Sequence, residues 1–338
     1  MDPAVESAAS DLLATGVPGV VMLAEKPDSA PLRISQGIDD IETKTPIESD
    51  LMFNVASISK TFTAVVVLKL VEDGKLALDD RLESVLPGTL AYGDDVTIRQ
   101  LLSHTSGVPE YWDSEVELEA CLNEDKCEAT AEENVTKASG SDRGATGQFS
   151  YSNTNYVLLG LVVEKITGKS FADAVTAEII EPLGLDDTVY VTDWSKPPTN
   201  LAHGYVPYNG DLVDITDSNP FAGNNDGGNL LSTAADLTTF LQALVGGKLL
   251  DDATLKEMLT PGAGGGSVSG VETSGYGLGI QVDDGWVGHS GRTVGYSTDA
   301  FITRDGKSSV VTMTNASEIE GQDAAMAELL GAAKTWTG

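Results

Sequence analysis

Ser57-Ile58-Ser59-Lys60 opens a mostly apolar run, with Phe62, Val65, Val66, Leu68, Leu70 and Val71, that Gly74 closes. The period of that run predicts a long helix beginning at Ser57 and stopping at Gly74. Nowhere else in the chain is a serine followed three positions later by a lysine. On a helix this spacing puts both side chains on one face, one turn apart. An amine held beside a hydroxyl can take its proton and turn a poor nucleophile into an acylating one. Alone, the pair equally fits a solvated helix face, so its meaning depends on what the rest of the chain supplies.

Outward from this helix the pattern changes in both directions. Upstream, residues 4–15 have the spacing of an amphipathic helix that ends before Gly16 and Pro18. Residues 19–24 form an apolar run of strand type, with residues 32–37 as a hairpin partner. Downstream, residues 97–103, 156–167 and 236–245 are helical in pattern, and residues 115–141 are acidic enough to suggest a solvated excursion. Residues 261–274 form a loop rich in Gly and Ser. Strand-like segments come next at 277–282, 285–288, 295–303 and 308–315, and residues 321–336 close the chain as a helix.

Strands at both ends with helices between them imply an α+β fold. One antiparallel sheet, flanked by the N- and C-terminal helices, joins the two ends. Residues 1–75 and 227–338 would make this sheet-bearing subdomain, and residues 76–226 an inserted, mainly helical one. The cleft between them is the expected active site.

Three further segments bear on Ser57. Tyr151-Ser152-Asn153 offers a phenol that a nearby ammonium can turn into a base, and an amide that can donate to and accept from a substrate peptide group. His289-Ser290-Gly291 lies on an expected strand, where Gly291 lets a substrate backbone approach closely. The stretch 227–233 precedes a helix. In the order Ser-x-x-Lys, Tyr-x-Asn, His-x-Gly, these motifs resemble those of the penicillin-recognising serine hydrolases. The resemblance is to the branch of class C β-lactamases and D-alanyl-D-alanine carboxypeptidases. Leu101-Leu102-Ser103-His104-Thr105-Ser106-Gly107, the stretch 149–156 and Gly275-Tyr276-Gly277-Leu278-Gly279 are also similar to that branch.

The resemblance implies roles by position. Ser57 would be the acylated nucleophile and Lys60 the group that shares its proton. Tyr151 would relay that proton to the leaving group and later help activate water. Asn153 would hold the substrate amide. His289, Ser290, Gly291 and Arg292 would form the substrate-binding strand, with His289 where many β-lactamases have lysine. The backbone N–H groups of Ser57 and Arg292 would form the oxyanion hole. No cofactor or metal is implied.

Two departures from the pattern stand out. Relatives with the histidine usually carry a hydroxyl residue where this chain has Arg292. The carboxypeptidase relatives place an arginine just after the Gly-Leu-Gly strand, where this chain has Gln281-Val282-Asp283-Asp284. Either Arg292 replaces that carboxylate clamp through its planar fork, or the cleft binds no carboxylate. The second case leaves esterase, amidase and D-aminopeptidase activities open. An alternative of another class is a penicillin-binding sensor that is acylated without turnover. Retention of both Lys60 and Tyr151 favours an enzyme, because deacylation needs a base.

The rest of the sequence bounds the answer. The 338 residues carry 52 acidic and 20 basic side chains, for a formal charge of -32 spread along the chain. That argues against nucleic acid or an anionic membrane as partner and points to a small-molecule or peptide substrate. It also suggests adaptation to high salt, where repulsion between carboxylates is damped. No apolar run approaches the length of a membrane span, so no membrane insertion is expected. Residues 1–3 show no signal-peptide pattern, which implies a cytoplasmic protein unless Met1 replaces a removed leader. The sequence leaves the oligomeric state open. Cys121 and Cys127 either close a small disulfide loop or are free thiols. No zinc-type spacing is present. His104 and His203 suit structural roles better than catalysis, Tyr111 and Trp112 suit either a cleft roof or plain packing, and residues 262–266 lack the sequel of a phosphate loop.

Overall fold

The computed structural model describes residues 2–112, 129–192, 194, 196–217, 229–262, 266–268 and 271–338. Its framework is an eight-stranded antiparallel sheet. The strands are β1 (Gly19–Glu25), β2 (Leu32–Asp40), β3 (Thr45–Pro46), β4 (Gly275–Tyr276), β5 (Gln281–Asp283), β6 (Trp286–Thr293), β7 (Tyr296–Thr303) and β8 (Ser309–Thr314). Their spatial order is β4-β5-β6-β7-β8-β1-β2-β3, so the two ends of the chain meet where β8 pairs with β1, Val20 opposite Thr314.

The sheet is covered on both faces, which is why β1 is apolar without alternation. Period-2 geometry divides its side chains between two cores. Val20, Met22 and Ala24 face helix α1 (Pro3–Ala14) and the C-terminal helix, packing with Val5, Leu12, Met326 and Leu329. Val21 and Leu23 face the other way, into the large core with Phe62, Val65 and Phe240. Fully burying one such Leu or Phe stabilises by about 1.5–3 kcal/mol. Asp2 caps α1, its carboxylate accepting from the N–H groups of Ala4 and Val5, with Pro3 in the first turn.

Helix α2 (Ser59–Glu72) is buried from Ser59 to Leu68 and ends at Asp73-Gly74, Gly74 having φ +67°. The ring of Phe62 stacks on that of Phe240 with centroids 3.7 Å apart. The sequence placed the start of this helix at Ser57. In the structure Ser57 instead lies in a 3-10 turn, Ala56–Ile58, that leads into α2.

Between α2 and the second half of the sheet lie α3 (Ile98–Leu102), α4 (Ala131–Ser139) and α5 (Thr154–Thr167). Helix α6 (Ala234–Val245) returns the chain to the sheet, and α7 (Gln322–Thr337) ends it. Where it is described, the acidic stretch 115–141 departs from the solvated excursion expected of it. From Thr130 onward it forms α4, with a Thr130–Glu133 capping box and with Ala131, Val135 and Ala138 buried, and α4 packs on α5. Its first part, with Cys121 and Cys127, lies outside the described residues, as does the expected boundary at 226/227. The Gly/Ser-rich loop contains a two-stranded ribbon, Gly266–Val268 with Val271–Thr273. The segment 277–282 is not one strand, because a turn at 277–280 separates β4 from β5. Among the described residues no helix is long and apolar enough to cross a membrane.

A small three-stranded sheet anchors the chain just before Ser57. Phe53–Asn54 and Val189–Tyr190 pair on either side of Leu230–Ser232. The anchor extends one residue further, where Val55 N donates to Leu230 O over 3.0 Å.

Candidate active site

The turn that carries Ser57 is strained. Ala56 adopts φ +50°, a conformation that costs a residue with a Cβ about 1 kcal/mol or more. Its N–H donates to Asn54 Oδ1 over 2.9 Å, and Ser59 Oγ donates to its carbonyl. The result is a sharp bend that presents Ser57 beside the first turn of α2. Lys60 Nζ donates to Ser57 Oγ over 3.0 Å, and both residues are buried. The ammonium also lies over the rings of Tyr151 and Tyr156, 5.4 and 5.7 Å from their centroids. Among the described residues Lys60 forms no salt bridge with a carboxylate.

Strand β6 runs past this turn. Gly291 is the point of contact: a Cβ there would sit 2.4 Å from Val55 O and 3.0 Å from Ser57 N. Beyond Gly288, which pairs with Gln281, β6 has no neighbouring strand on its β5 side among the described residues. Ser290 N points to that open side and donates to Gln281 Oε1 over 2.6 Å. Alternation along an antiparallel strand turns the N–H of Arg292 the same way. The N–H groups of Ser57 and Arg292 thus lie on adjoining stretches of backbone, the arrangement an oxyanion hole requires.

The side chain of Arg292 is engaged by two carboxylates. Its Nη1 and Nη2 donate to Asp299 at 3.1 and 3.4 Å, its Nε donates to Asp323 Oδ1 at 2.7 Å, and Nη1 also reaches the carbonyls of Gly291 and Thr298. Asp299 is completely buried. Alternation from Gly291 directs Arg292 toward α7, where this pairing consumes its fork.

His289 is also fully engaged. Its Nδ1 lies 2.6 Å from Ser290 O and its Nε2 2.9 Å from Tyr276 Oη. Nδ1 therefore donates to the carbonyl, and in the neutral ring that burial favours Nε2 accepts from the phenol. Burial, reinforced by the nearby charge of Lys60, pushes its pKa down to about 3. Burial drives the phenol of Tyr276 well above its usual range, so it stays a donor.

Tyr151 packs near Tyr276 and His289, with ring centroids 6.4 Å away in each case. Its Oη is buried and has no hydrogen-bond partner among the described residues. Asn153 is half-buried at the entry to α5, and its backbone N–H donates to Glu110 Oε2 over 2.7 Å. Ser152 and Thr154 donate their hydroxyls to Pro109 O. His104 is buried beneath this group and held neutral, first by burial and then by the charge of Lys60.

The structure thus gathers Ser57, Lys60, Tyr151, Gly291 and the backbone of Arg292 around one point. Asn153 and His289 border it, and Ser290 contributes through its backbone. Sequence reasoning overlooked Tyr276, Glu110 and Gln281. Tyr276 lies in the Gly-Tyr-Gly-Leu-Gly stretch, and Glu110 follows the His-Thr-Ser-Gly stretch by three residues, so only their neighbourhood carried a signal. His203 stands apart, its Nδ1 2.7 Å from Asp214. Among the described residues no group of three or more His, Cys, Asp or Glu side chains is arranged to hold a metal ion.

A family model described as Beta-lactamase matches residues 5–334. Penicillin-binding protein 4* of Bacillus subtilis is 31% identical over 323 residues, which span 89% of this chain and 68% of that protein. A solved D-stereospecific amidohydrolase from Streptomyces sp. superposes with a TM-score of 0.83 at 32% identity, over 97% of this chain and 98% of its own. The D-amino acid amidase from Ochrobactrum anthropi SV3 gives a TM-score of 0.85 at 27% identity, over all of both chains.

Proposed function

Because the chain belongs to the beta-lactamase family and is a serine hydrolase of that fold, we propose that it cleaves amide bonds of D-amino-acid derivatives through an acyl-enzyme on Ser57. The observation that carries this reading is the buried 3.0 Å contact from Lys60 Nζ to Ser57 Oγ beside the Gly291 backbone. In the proposed acylation Ser57 Oγ attacks the amide carbonyl carbon. The Ser57 proton passes by way of Lys60 and Tyr151 to the leaving nitrogen. The C–N bond breaks as the new C–O ester remains. Water, activated with the help of Tyr151, then cleaves the ester and restores Ser57. The N–H groups of Ser57 and Arg292 bind the oxyanion in both halves, and Asn153 holds the substrate amide. The cleft between residues 76–226 and the sheet-bearing remainder admits the substrate.

Charge near the site supports an amidase or aminopeptidase over a carboxypeptidase. The guanidinium of Arg292 is held by Asp299 and Asp323, which leaves its charge matched without a substrate carboxylate. The carboxylate of Glu110, which accepts from the backbone N–H groups of Trp112 and Asn153, instead places a negative charge beside Asn153, which suits a substrate with an ammonium group. The likeness to a D-stereospecific amidohydrolase and a D-amino acid amidase points the same way. The acidic composition supports activity and stability at high salt.

The test is a comparison of D-phenylalanine amide, L-phenylalanine amide, an N-acylated D-Ala-D-Ala peptide and a chromogenic cephalosporin, in low and high salt. The reading predicts the highest kcat/KM for the D-amide. A preference for the acylated peptide would assign the carboxypeptidase activity instead.

A further inference from the structure

Two backbone N–H groups flank Tyr151, and one residue holds both. Ser150 N donates to His104 O over 2.8 Å, and Ser152 N donates to His104 Nδ1 over 3.2 Å. Between these bonds the imidazole lies against the Tyr151 ring, with centroids 4.2 Å apart and planes tilted by 30°. From this bracket we infer that His104 is a positioning residue for Tyr151, setting the direction in which the phenol oxygen points during proton transfer. The inference rests on the reading of Tyr151 as the proton relay.

The tip of Tyr151 explains why such a device is needed. Its Oη is buried and has no hydrogen-bond partner among the described residues, so none of these bonds to the oxygen to fix the ring. The ring's direction follows from contacts along its body and from the backbone that carries it. His104 makes the closest ring contact, since those to Tyr276 and His289 are at 6.4 Å. The bracket is itself anchored. Asn155 Nδ2 lies 3.1 Å from His104 Nδ1, and Asn155 Oδ1 accepts from Ser106 Oγ over 2.6 Å. With Nδ1 accepting, the ring proton sits on Nε2 and the ring is neutral. His104 keeps this place at φ +55°, a conformation unfavourable for a residue with a Cβ. A histidine that only filled the core would need neither the strain nor the paired bonds around Tyr151.

The experiment uses two complementary variants, assayed with D-phenylalanine amide. His104→Asn keeps an acceptor near Nδ1 and tolerates the positive φ, but lacks the ring. His104→Phe keeps a ring and lacks the acceptor. Each is expected to lower kcat by about 10- to 100-fold with KM within about 3-fold, as for a misplaced catalytic group. In a Tyr151→Phe background His104→Asn is expected to change kcat by less than about 2-fold, because the group it positions is gone. Where His104→Phe does not fold, His104→Asn carries the test. Equal losses with and without the Tyr151 hydroxyl overturn the proposal and leave His104 a core residue. Wild-type kcat in His104→Asn, alongside a large loss in Tyr151→Phe, overturns the proposal alone. Full kcat in Tyr151→Phe overturns the reading of Tyr151 and this proposal with it.

Discussion

Tyr276 Oη donates to His289 Nε2 over 2.9 Å while the opposite ring nitrogen bonds to the neighbouring carbonyl of Ser290. His289 therefore stands in the lysine position of the motif without lysine's charge. It joins the edge strand β4 to the substrate strand β6 as a neutral, doubly bonded wedge. Lys60 is left as the cation beside Ser57, and its charge helps keep His289 and His104 neutral.

This burial of a neutral imidazole makes stability depend on pH. The folded His289 titrates at about 3, whereas an unfolded histidine titrates near 6.5. Between these values the unfolded chain binds the extra proton, so stability falls as pH drops from 6.5 toward 3. One such group contributes a slope of up to about 1.4 kcal/mol per pH unit. Urea midpoints of the wild type and His289→Asn between pH 4 and 7 check this. The variant should lose less stability per pH unit, and parallel curves would contradict the assignment.

Gly291 has no room for a side chain. A Cβ would stand 2.4 Å from Val55 O and 3.0 Å from Ser57 N, and both belong to backbone that cannot swing away. Gly291→Ala should separate the two oxyanion donors and lower kcat/KM by about 10²-fold or more. Circular dichroism should show the fold retained. Pre-steady-state kinetics should place the loss in acylation.

Arg292 is expected to matter for stability more than for selectivity. Removing it strands the fully buried carboxylate of Asp299. Breaking a buried pair in this way costs about 3–5 kcal/mol. Arg292→Gln should lower the urea midpoint accordingly. The ratio of kcat/KM between substrates with and without a terminal carboxylate should stay within about 2-fold. A selective loss for carboxylate-bearing substrates would show that the guanidinium reaches them.

With a formal charge of -32, this fold is expected to be stabilised by salt. Screening shortens the reach of surface repulsion from about 10 Å at 0.1 M salt to about 3 Å at 1 M. The midpoint of thermal unfolding should rise by several degrees between dilute buffer and molar KCl. A flat response would rule out high-salt adaptation.

Much of the architecture was legible because its signals are periodic or local. The unbroken apolar run of β1 predicted a strand, and its burial on both faces explains the lack of alternation. The order Ser-x-x-Lys, Tyr-x-Asn, His-x-Gly singled out residues that the structure brings together. What escaped has physical reasons. Phe53–Asn54, Val189–Tyr190 and Leu230–Ser232 are too short to show a period, yet they hold the chain leading to Ser57. The hairpin of Tyr205–Tyr208 with Asp211–Asp214 turns on Asn209-Gly210, both at positive φ, a turn signal that lay unused inside irregular text. Ser57 sits outside the regular helix because Ala56 takes a strained conformation that no pattern announces. The fate of Arg292 depends on Asp299 and Asp323, partners across the sheet that sequence spacing does not reveal.

The central claim is that Ser57 becomes covalently acylated during turnover. Its most direct test is intact and peptide mass spectrometry of enzyme quenched during reaction with a D-phenylalanine ester, run beside Ser57→Ala. The mechanism predicts a transient acyl adduct on the peptide that contains Ser57, absent from Ser57→Ala together with turnover. Undiminished turnover by Ser57→Ala, or an adduct on another residue, would contradict it.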